Sequence, residues 1–221
     1  SCFLNTSYQK QMVHEEARKI FSSSVCGKLH ENLEVLPPVI IPKNIRPNKK
    51  GSYEKMIVWN HDVDKKDNFL EFEKTILALR KKRDDFKVWI PKMKNSHKLT
   101  REYRWVTIGK SNNRREFLNK MRTCCVGISP KGGNVNLYNS TIEGNSCGIP
   151  FVMFNEPYYL DINSSADFYK TRKELISFLN KYLDESDYRN QMAGQAIGNL
   201  ITKYNMNRKV NVINKRINSL L

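Results

Sequence analysis

Short apolar runs alternate with longer segments of helical periodicity, and this alternation constrains the fold more than any other feature of the sequence. Runs that are apolar throughout are typical of strands covered on both faces, as in a parallel sheet with crossover helices. Between the runs, apolar residues recur three and four positions apart, around residues 69–79 and again around residues 117–121. The sequence therefore predicts an α/β fold with a parallel sheet, helices on both faces and a C-terminal tail, residues 167–221, that is helical throughout. The predicted strands are residues 56–60, 86–91, 105–109, 124–129 and 150–154.

The N-terminal quarter of the chain has a different pattern. Residues 2–5 are strand-like and residues 8–21 have helical spacing, but a proline-punctuated stretch then runs into the polar residues 48–52. We therefore interpret residues 1–52 as a remnant of an N-terminal domain with its linker, and residues 53–221 as a second domain. Because the first residue is not Met and no signal-like segment follows it, we expect the chain to start inside a larger fold.

Composition and charge exclude several classes of protein. No apolar run approaches the length needed to span a bilayer, which excludes an integral membrane protein. The five cysteines form no CxxC pair, which argues against a disulfide framework and a zinc site and favours a reducing, cytoplasmic location. The adjacent Cys124 and Cys125 lie in an apolar run and are interpreted as small buried residues. The net charge of +16 favours a polyanionic partner, although the charge is spread along the chain and a composition rich in Lys, Asn and Ile can arise from coding bias alone.

Two loops that follow predicted strands carry polar and cationic residues. In α/β sheets of this kind, ligands bind beyond the carboxyl ends of the strands. Residues 59–68 follow the first predicted strand and include His61 and Lys66, whereas residues 128–134 follow the fourth and include two glycines ahead of a predicted helix. A helix N-terminus with free backbone N–H groups is a natural diphosphate site. The two loops therefore predict a crevice for an anionic ligand.

The segment after the glycine loop carries a more specific signal. Residues 139–152 have the sequence NSTIEGNSCGIPFV, in which Glu143 lies on a predicted helix and is followed by Cys-Gly, a hydrophobic residue, Pro150 and a predicted strand. This segment resembles the donor-site segment of retaining GT-B glycosyltransferases, in which the glutamate binds the ribose hydroxyls of a nucleotide sugar. The resemblance implies a Rossmann-like nucleotide-sugar-binding domain in which Glu143 binds ribose. The structural alternative for Glu143 is a solvated helix carboxylate.

The resemblance extends to the loops. Residues 59–68 resemble the family's first donor-domain loop, where an arginine and a lysine contact the phosphates; His61 stands at the arginine position and Lys66 at the lysine position. The same loop is similar to the Trp-x-His loop of queuosine-tRNA mannosyltransferases. Lys110, after the third predicted strand, stands where the family contacts the nucleotide base. The structural alternatives are a histidine hydrogen-bonded to backbone and solvated surface lysines.

Two departures from the family pattern concern the sugar. Val135 stands where the family usually has an acidic residue near the sugar. The family's Gly-Phe-Gly run appears as Asn136-Leu137-Tyr138, and the glycines are displaced upstream to Gly132-Gly133. The identity of the sugar is therefore not carried over from the family.

The resemblance implies glycosyl transfer from a nucleotide sugar, as substrate, to a hydroxyl acceptor. It implies no cofactor and no catalytic metal, because the family generally works without one and Asp62-Val63-Asp64 is only a lone match to a metal motif. The acceptor site and any general base would belong to an N-terminal domain, so no catalytic residue is assigned. The implied donor-binding residues are His61, Lys66, Lys110, Tyr138, Asn139, Ser140, Thr141 and Glu143.

The acceptor stays open at the level of sequence. The net charge and the similarity to tRNA mannosyltransferases favour a modified base in DNA or tRNA, flipped out to expose its hydroxyl. A cell-envelope or small-molecule acceptor is the competing hypothesis, with the charge facing an anionic membrane surface. A basic α/β module that binds nucleic acid without catalysis is the non-enzymatic alternative. The densest basic clusters, residues 80–83 and 114–115, are either polynucleotide contacts or helix ends that complement the helix dipole.

Overall fold

The computed structural model describes residues 2–4, 7–35, 53–61, 66–93, 102–109, 113–132, 138–204 and 206–218. The strands in these ranges are β1 (Cys2–Leu4), β2 (Leu33–Val35), β3 (Met56–Val58), β4 (Lys87–Ile90), β5 (Val106–Ile108), β6 (Val126–Ser129), β7 (Phe151–Phe154) and β8 (Phe168–Tyr169). The main helices are α1 (Ser7–Ile20), α2 (Ser23–Asn32), α3 (Lys66–Arg80), α4 (Arg114–Met121), α5 (Tyr138–Ser146), α6 (Pro157–Ile162), α7 (Arg172–Asp184), α8 (Ser186–Lys203) and α9 (Met206–Asn218).

The larger sheet is parallel throughout and has the strand order β5-β4-β3-β6-β7-β8. From β3 the chain proceeds outward through β4 to β5, and from β6 it proceeds in the opposite direction through β7 to β8. The direction reverses between β3 and β6, which are paired through Ile57 with Val126 and through Val58 with Gly127. Ligands of doubly wound sheets bind at this switch point, beyond the carboxyl ends of the strands. The topology therefore places the candidate crevice above β3 and β6.

The predicted fold class is confirmed. Each of the five predicted strands is present as a parallel strand one or two residues shorter than predicted. The predicted crossover helices correspond to α3 and α4, and the side chain of Asn113 caps α4 by accepting the N–H of Glu116. None of the helices that the structure describes is long and apolar enough to cross a membrane.

The prediction that the tail is helical throughout is wrong at β8, which pairs with β7 as an edge strand. The helix that follows cannot begin earlier, because Thr171 caps it. The Thr171 hydroxyl accepts the backbone N–H of Glu174 at 3.2 Å, and the Glu174 carboxylate accepts the backbone N–H of Thr171 at 3.0 Å. The two aromatic residues ahead of this capping box are therefore extended, and they complete the sheet.

The sheet is buried on both faces. On one face α3 and α7 cover the strands, and Trp59, Phe72 and Leu79 belong to that core. On the other face α4, α5, α6 and α8 cover the strands, around Trp89 and Phe151. Burying a large apolar side chain completely contributes about 1.5–3 kcal/mol. Burial of this kind on both sides explains why the strands are apolar at every position.

The N-terminal segment forms a small sheet of its own. Within the described residues β1 and β2 pair in parallel with each other, in a sheet separate from the larger one. Helix α1 packs on α6, where the backbone N–H of Tyr8 donates to Asp161 Oδ2 at 3.1 Å. The predicted linker, residues 36–52, lies outside the described residues. The division of the chain at residue 52 therefore stays a prediction.

Cys26, Cys124, Cys125 and Cys147 are buried free thiols. Burial raises the pKa of Cys124 and of Cys125, and raises the pKa of Cys147 to about 11. A protonated and inaccessible thiol is a poor nucleophile, so these residues act as packing groups. The cytoplasmic location inferred from cysteine usage stays a prediction.

Helix α5 lies against the sheet through two glycines. Phe151 of β7 fills the space next to both: a Cβ built on Gly127 would lie 2.3 Å from Phe151 Cζ, and one built on Gly144 would lie 2.1 Å from Phe151 Cε2. The ring is 1% exposed and is enclosed by the core. Gly144 therefore sets how closely α5 approaches the sheet, and Glu143 is the residue before it.

We expect Gly144→Ala to lower the free energy of unfolding by about 1–3 kcal/mol, because the added methyl overpacks the core against Phe151. The matched control is Gly194→Ala in the middle of α8, where an added Cβ would meet nothing within 4 Å. Helix propensity alone should make that control neutral or more stable by up to about 1 kcal/mol. Urea unfolding followed by circular dichroism measures both. A Gly144→Ala variant as stable as the control would contradict this packing.

Candidate functional site

The candidate site lies in the crevice above β3 and β6, where α5 begins. Helix α5 starts at Tyr138 and ends where Gly148 adopts a positive φ of 79°, a conformation that favours glycine. Pro150 then leads directly into β7. Residues 139–152 thus form one helix, one glycine turn and one strand. The arrangement presents the first turns of α5 to the ends of β3 and β4.

The Glu143 carboxylate lies in this crevice. Its Oε2 accepts a hydrogen bond of 3.0 Å from the side-chain amide of Asn60, and its Oε1 forms an ion pair with Arg114. Glu143 is the sixth residue of a helix of nine residues, so it lies in the middle of α5 and not at the expected position near its start. The carboxylate nevertheless faces the strand ends, because Asn60 follows β3 by two positions. This geometry does not match the structural alternative of a solvated carboxylate, since the Glu143 side chain is only 19% exposed.

Arg114 is the outer partner of Glu143. It is the first residue of α4, its side chain is 66% exposed, and its guanidinium lies 5.4 Å from the centre of the Phe117 ring. An ion pair with a partner this exposed contributes only about 0–1 kcal/mol. A carboxylate offers about four lone-pair positions, and the two known contacts leave positions for further donors. A ligand hydroxyl can therefore bind Glu143 beside Arg114 or replace it at small cost.

Lys92 reaches the first turn of α5 from the end of β4. Its Nζ donates a hydrogen bond of 2.9 Å to Ser140 Oγ. Ser140 is the third residue of α5, and backbone N–H groups in the first turn of a helix have no partners within the helix. A cation, a hydroxyl and a helix N-terminus in one place form a corner suited to an anion. Lys92 was not among the residues assigned from the sequence, although it directly follows the predicted strand 86–91.

Thr141 faces the sheet instead of the crevice. It is completely buried, and its hydroxyl lies 2.6 Å from the Ser129 hydroxyl at the end of β6. The backbone next to this contact is held by two tyrosines: Tyr169 donates to the Ser129 carbonyl at 3.3 Å and Tyr159 to the Pro130 carbonyl at 2.8 Å. Burial raises the pKa of both phenols, so they stay protonated as donors. Thr141, assigned to the donor from the sequence, therefore anchors α5.

The other assigned residues divide into described and undescribed groups. Asn139 is exposed in the first turn of α5, next to Ser140. His61 follows Asn60, is 1% exposed, and has its ring 5.5 Å from that of Trp59. His61 is therefore buried beside Trp59, and its contact with phosphate stays a prediction. Outside the described residues are Lys110, residues 62–65 and 133–137, and the side chains of Lys66 and Tyr138.

The structure describes no group of three or more His, Cys, Asp or Glu residues that could hold a metal ion within its ranges. The Asp62-Val63-Asp64 motif lies outside those ranges. The expectation that the reaction needs no catalytic metal stays a prediction.

The basic cluster at residues 80–83 lies at the other end of the sheet. Arg83 forms ion pairs with Asp85 and Asp184 at 2.6 and 2.7 Å, and these pairs hold the pKa of both carboxyls below its usual range. Arg80 lies over the Trp105 ring, 5.1 Å from its centre, beside an open groove of about 720 Å³. Two of the cations, Arg80 and Arg83, are thus engaged in contacts within the protein, and a polynucleotide role for this cluster stays a prediction.

Comparison with known proteins supports the fold. No protein-family model and no curated protein sequence matches this chain. A TarM variant from S. aureus, solved with fondaparinux, alpha-GlcNAc-glycerol and UDP, has a TM-score of 0.70 over 98% of this chain and 43% of its own, at 14% identity. HepE from Anabaena, solved with UDP and glucose, has a TM-score of 0.67 over 98% of this chain and 70% of its own, at 9% identity.

A third structure is a single domain. The C-terminal domain of LpcC, a glycosyl transferase group 1 family protein from Francisella tularensis, has a TM-score of 0.59 over 76% of this chain and 99% of its own, at 12% identity. Likeness at such identities establishes the fold, which is that of the GT-B glycosyltransferases. This chain spans less than half the length of the TarM chain it matches. These structures do not bear on the similarity to queuosine-tRNA mannosyltransferases, which stays a prediction.

We expect Lys92→Met to weaken binding of a nucleoside diphosphate by about 1.5–3 kcal/mol, the range for a hydrogen bond to a charged group, and to leave binding of the parent nucleoside unchanged. Methionine keeps the length of the side chain and removes its charge. The matched control is Lys87→Met, at the exposed amino end of the same strand. Isothermal titration calorimetry with both ligands measures the effect. Equal losses for the nucleoside diphosphate and the nucleoside would show that Lys92 does not act on the phosphates.

Proposed function

We propose that this chain is the nucleotide-sugar-binding half of a glycosyltransferase that moves a sugar from its nucleoside diphosphate to a hydroxyl acceptor. The observation that carries the proposal is the Glu143 carboxylate, held at the switch point between the Asn60 amide and the Arg114 guanidinium. The two hydroxyls of a ribose are donors that match the free positions of such a carboxylate. The presence of UDP in the TarM and HepE structures makes UDP the first nucleotide to test.

In this proposal, different positions along α5 bind different parts of the nucleotide sugar. Glu143 accepts the ribose hydroxyls once Arg114 moves aside. Ser140, the Lys92 ammonium and the first-turn N–H groups of α5 bind the diphosphate. Negative charge grows on the leaving diphosphate as the glycosidic bond breaks, and fixed donors at that position stabilise it. The Lys92 cation offsets that charge at close range, so its effect is expected on the transfer rate as well as on binding.

The acceptor site and any general base are proposed to belong to a further domain. This chain spans 43% of the TarM chain and 70% of the HepE chain. The N-terminal segment supports the proposal, because Ile20 is 74% exposed and Phe21 is 52% exposed, as expected for residues that pack on another domain.

As the acceptor, we favour a small molecule or an envelope glycan over a nucleic acid. The TarM structure contains alpha-GlcNAc-glycerol, a small glycoside. The nucleic-acid hypothesis depends on the net charge of +16. Part of that charge is engaged, since Arg83 is paired with two carboxylates and Arg80 is held against Trp105. No contact within the described residues favours a polynucleotide over a glycan.

We expect Glu143→Ala to weaken UDP binding by about 1.5–3 kcal/mol, because a charged acceptor of two hydroxyls is lost. The matched control is Glu71→Ala on α3, since Glu71 also pairs with an arginine, Arg172, but at the exposed surface and away from the crevice. Calorimetry against UDP, ADP and GDP also tests which base is preferred. Wild-type protein that binds none of these nucleotides would contradict the proposed function, whereas unchanged UDP affinity in folded Glu143→Ala would contradict only the role of Glu143.

A further inference from the structure

Asn60 occupies the one position in the described crevice that contacts α5 and its carboxylate at once. The residue is completely buried two positions after β3. Its Nδ2 donates to the Ser140 carbonyl at 3.1 Å and to Glu143 Oε2 at 3.0 Å. One amide group therefore bridges the end of a central strand, the backbone of α5 and the side chain proposed to bind ribose.

The chemistry of the contact fixes the orientation of the amide. Both partners of Nδ2 are acceptors, so the opposite orientation would place Oδ1 against two oxygens. In the adopted orientation Oδ1 has no hydrogen-bond partner among the residues that the structure describes. An unpaired buried carbonyl oxygen costs free energy of folding. Fold stability alone therefore gives a weak reason for an asparagine here, and the bond to Glu143 gives a stronger one.

The two contacts of Glu143 differ in rigidity. The Arg114 guanidinium is exposed at the end of a long side chain, whereas the Asn60 amide is on a short side chain enclosed by the core. When Arg114 leaves, Asn60 still holds Oε2, so the carboxylate keeps its direction toward the crevice. Without Asn60 the carboxylate would be free to turn toward Arg114 or solvent, and each binding event would have to order it again.

We propose that Asn60 is a positioning residue of the donor site, which fixes the Glu143 carboxylate in the orientation that accepts the ribose hydroxyls. The inference rests on the proposed function and names a residue that acts through Glu143 without touching the sugar. It predicts that changes at Asn60 affect recognition of the ribose and spare recognition of the phosphates. A purely structural asparagine would affect both equally, through loss of folded protein.

The first test compares UDP with 2′-deoxy-UDP. Wild type is expected to bind UDP several-fold more tightly than the deoxy compound, because Glu143 accepts the 2′-hydroxyl. Asn60→Leu keeps the branched shape of the side chain and removes the amide. We expect this variant to lose most of the preference, with the affinity for UDP falling more than the affinity for 2′-deoxy-UDP. Thermal unfolding of each variant establishes that the protein compared is folded.

The second test uses pH. In Asn60→Asp the introduced carboxylate faces the Glu143 carboxylate and the Ser140 carbonyl, and like charges this close destabilise each other. At pH 8 we expect the UDP affinity to fall about tenfold or more relative to wild type. Toward pH 5.5 the introduced carboxyl takes up a proton and can donate to Glu143 as the amide does, so the affinity should recover.

The other ionisable groups around this position are present in both proteins. They are Arg114 on α4, Lys92 at the end of β4 and the buried His61 next in the chain, and the phosphates of UDP titrate as well. Expressing each affinity as the ratio of variant to wild type at the same pH removes their contributions. A ratio that does not change with pH would contradict the proposed contact.

An exchange variant covers the case in which Asn60→Asp does not fold at high pH. The double variant N60D/E143Q swaps donor and acceptor and removes the repulsion between the two carboxylates. It should fold and should prefer UDP over 2′-deoxy-UDP more than N60D alone does. Wild type that binds no nucleotide would refute the proposed function itself. If wild type clearly prefers UDP and the Asn60→Leu and Asn60→Asp variants show the same preference, only the role of Asn60 would be refuted.

Discussion

The close contact between α5 and the sheet is the constraint on which the rest of the site depends. Phe151 leaves room at Gly127 and Gly144 for hydrogen atoms only, and the Ser129 and Thr141 hydroxyls join the helix to β6 at 2.6 Å. A helix held in this way cannot slide or rotate without opening the core. The side chains on its crevice face therefore have fixed positions relative to the strand ends.

The topology then supplies partners for that face from three distant parts of the chain. Asn60 comes from the end of β3, Lys92 from the end of β4 and Arg114 from the start of α4, and all three contact α5 residues. Their burial decreases outward, from the enclosed Asn60 amide to the exposed Arg114 guanidinium. An inner contact that is rigid and an outer one that opens at low cost suit a site that must admit a ligand and still orient it.

The fold could be predicted from the sequence because the local pattern of each segment agrees with the burial that the folded sheet requires. Strands that must be covered on both faces are apolar at each position, and the glycine turn at Gly148 needs the residue that the sequence supplies. The short edge strand β8 was not predicted, since two aromatic residues give no periodicity. Glu143 could be selected from its motif, but Thr141 in the same motif belongs to the packing. Asn60 and Lys92 could not be selected, because only the approach of α5 to the neighbouring strands gives them their partners.

In the proposed function, the crevice above β3 and β6 binds a nucleoside diphosphate along α5. A crystal structure of the protein with UDP would show where the nucleotide lies. We expect ribose hydroxyls within hydrogen-bond distance of the Glu143 carboxylate, the diphosphate at Ser140 and Lys92, and Arg114 moved away from its present partner. UDP bound elsewhere, such as in the groove beside Trp105 at the amino ends of the strands, with the pair between Arg114 and Glu143 intact, would contradict this binding mode.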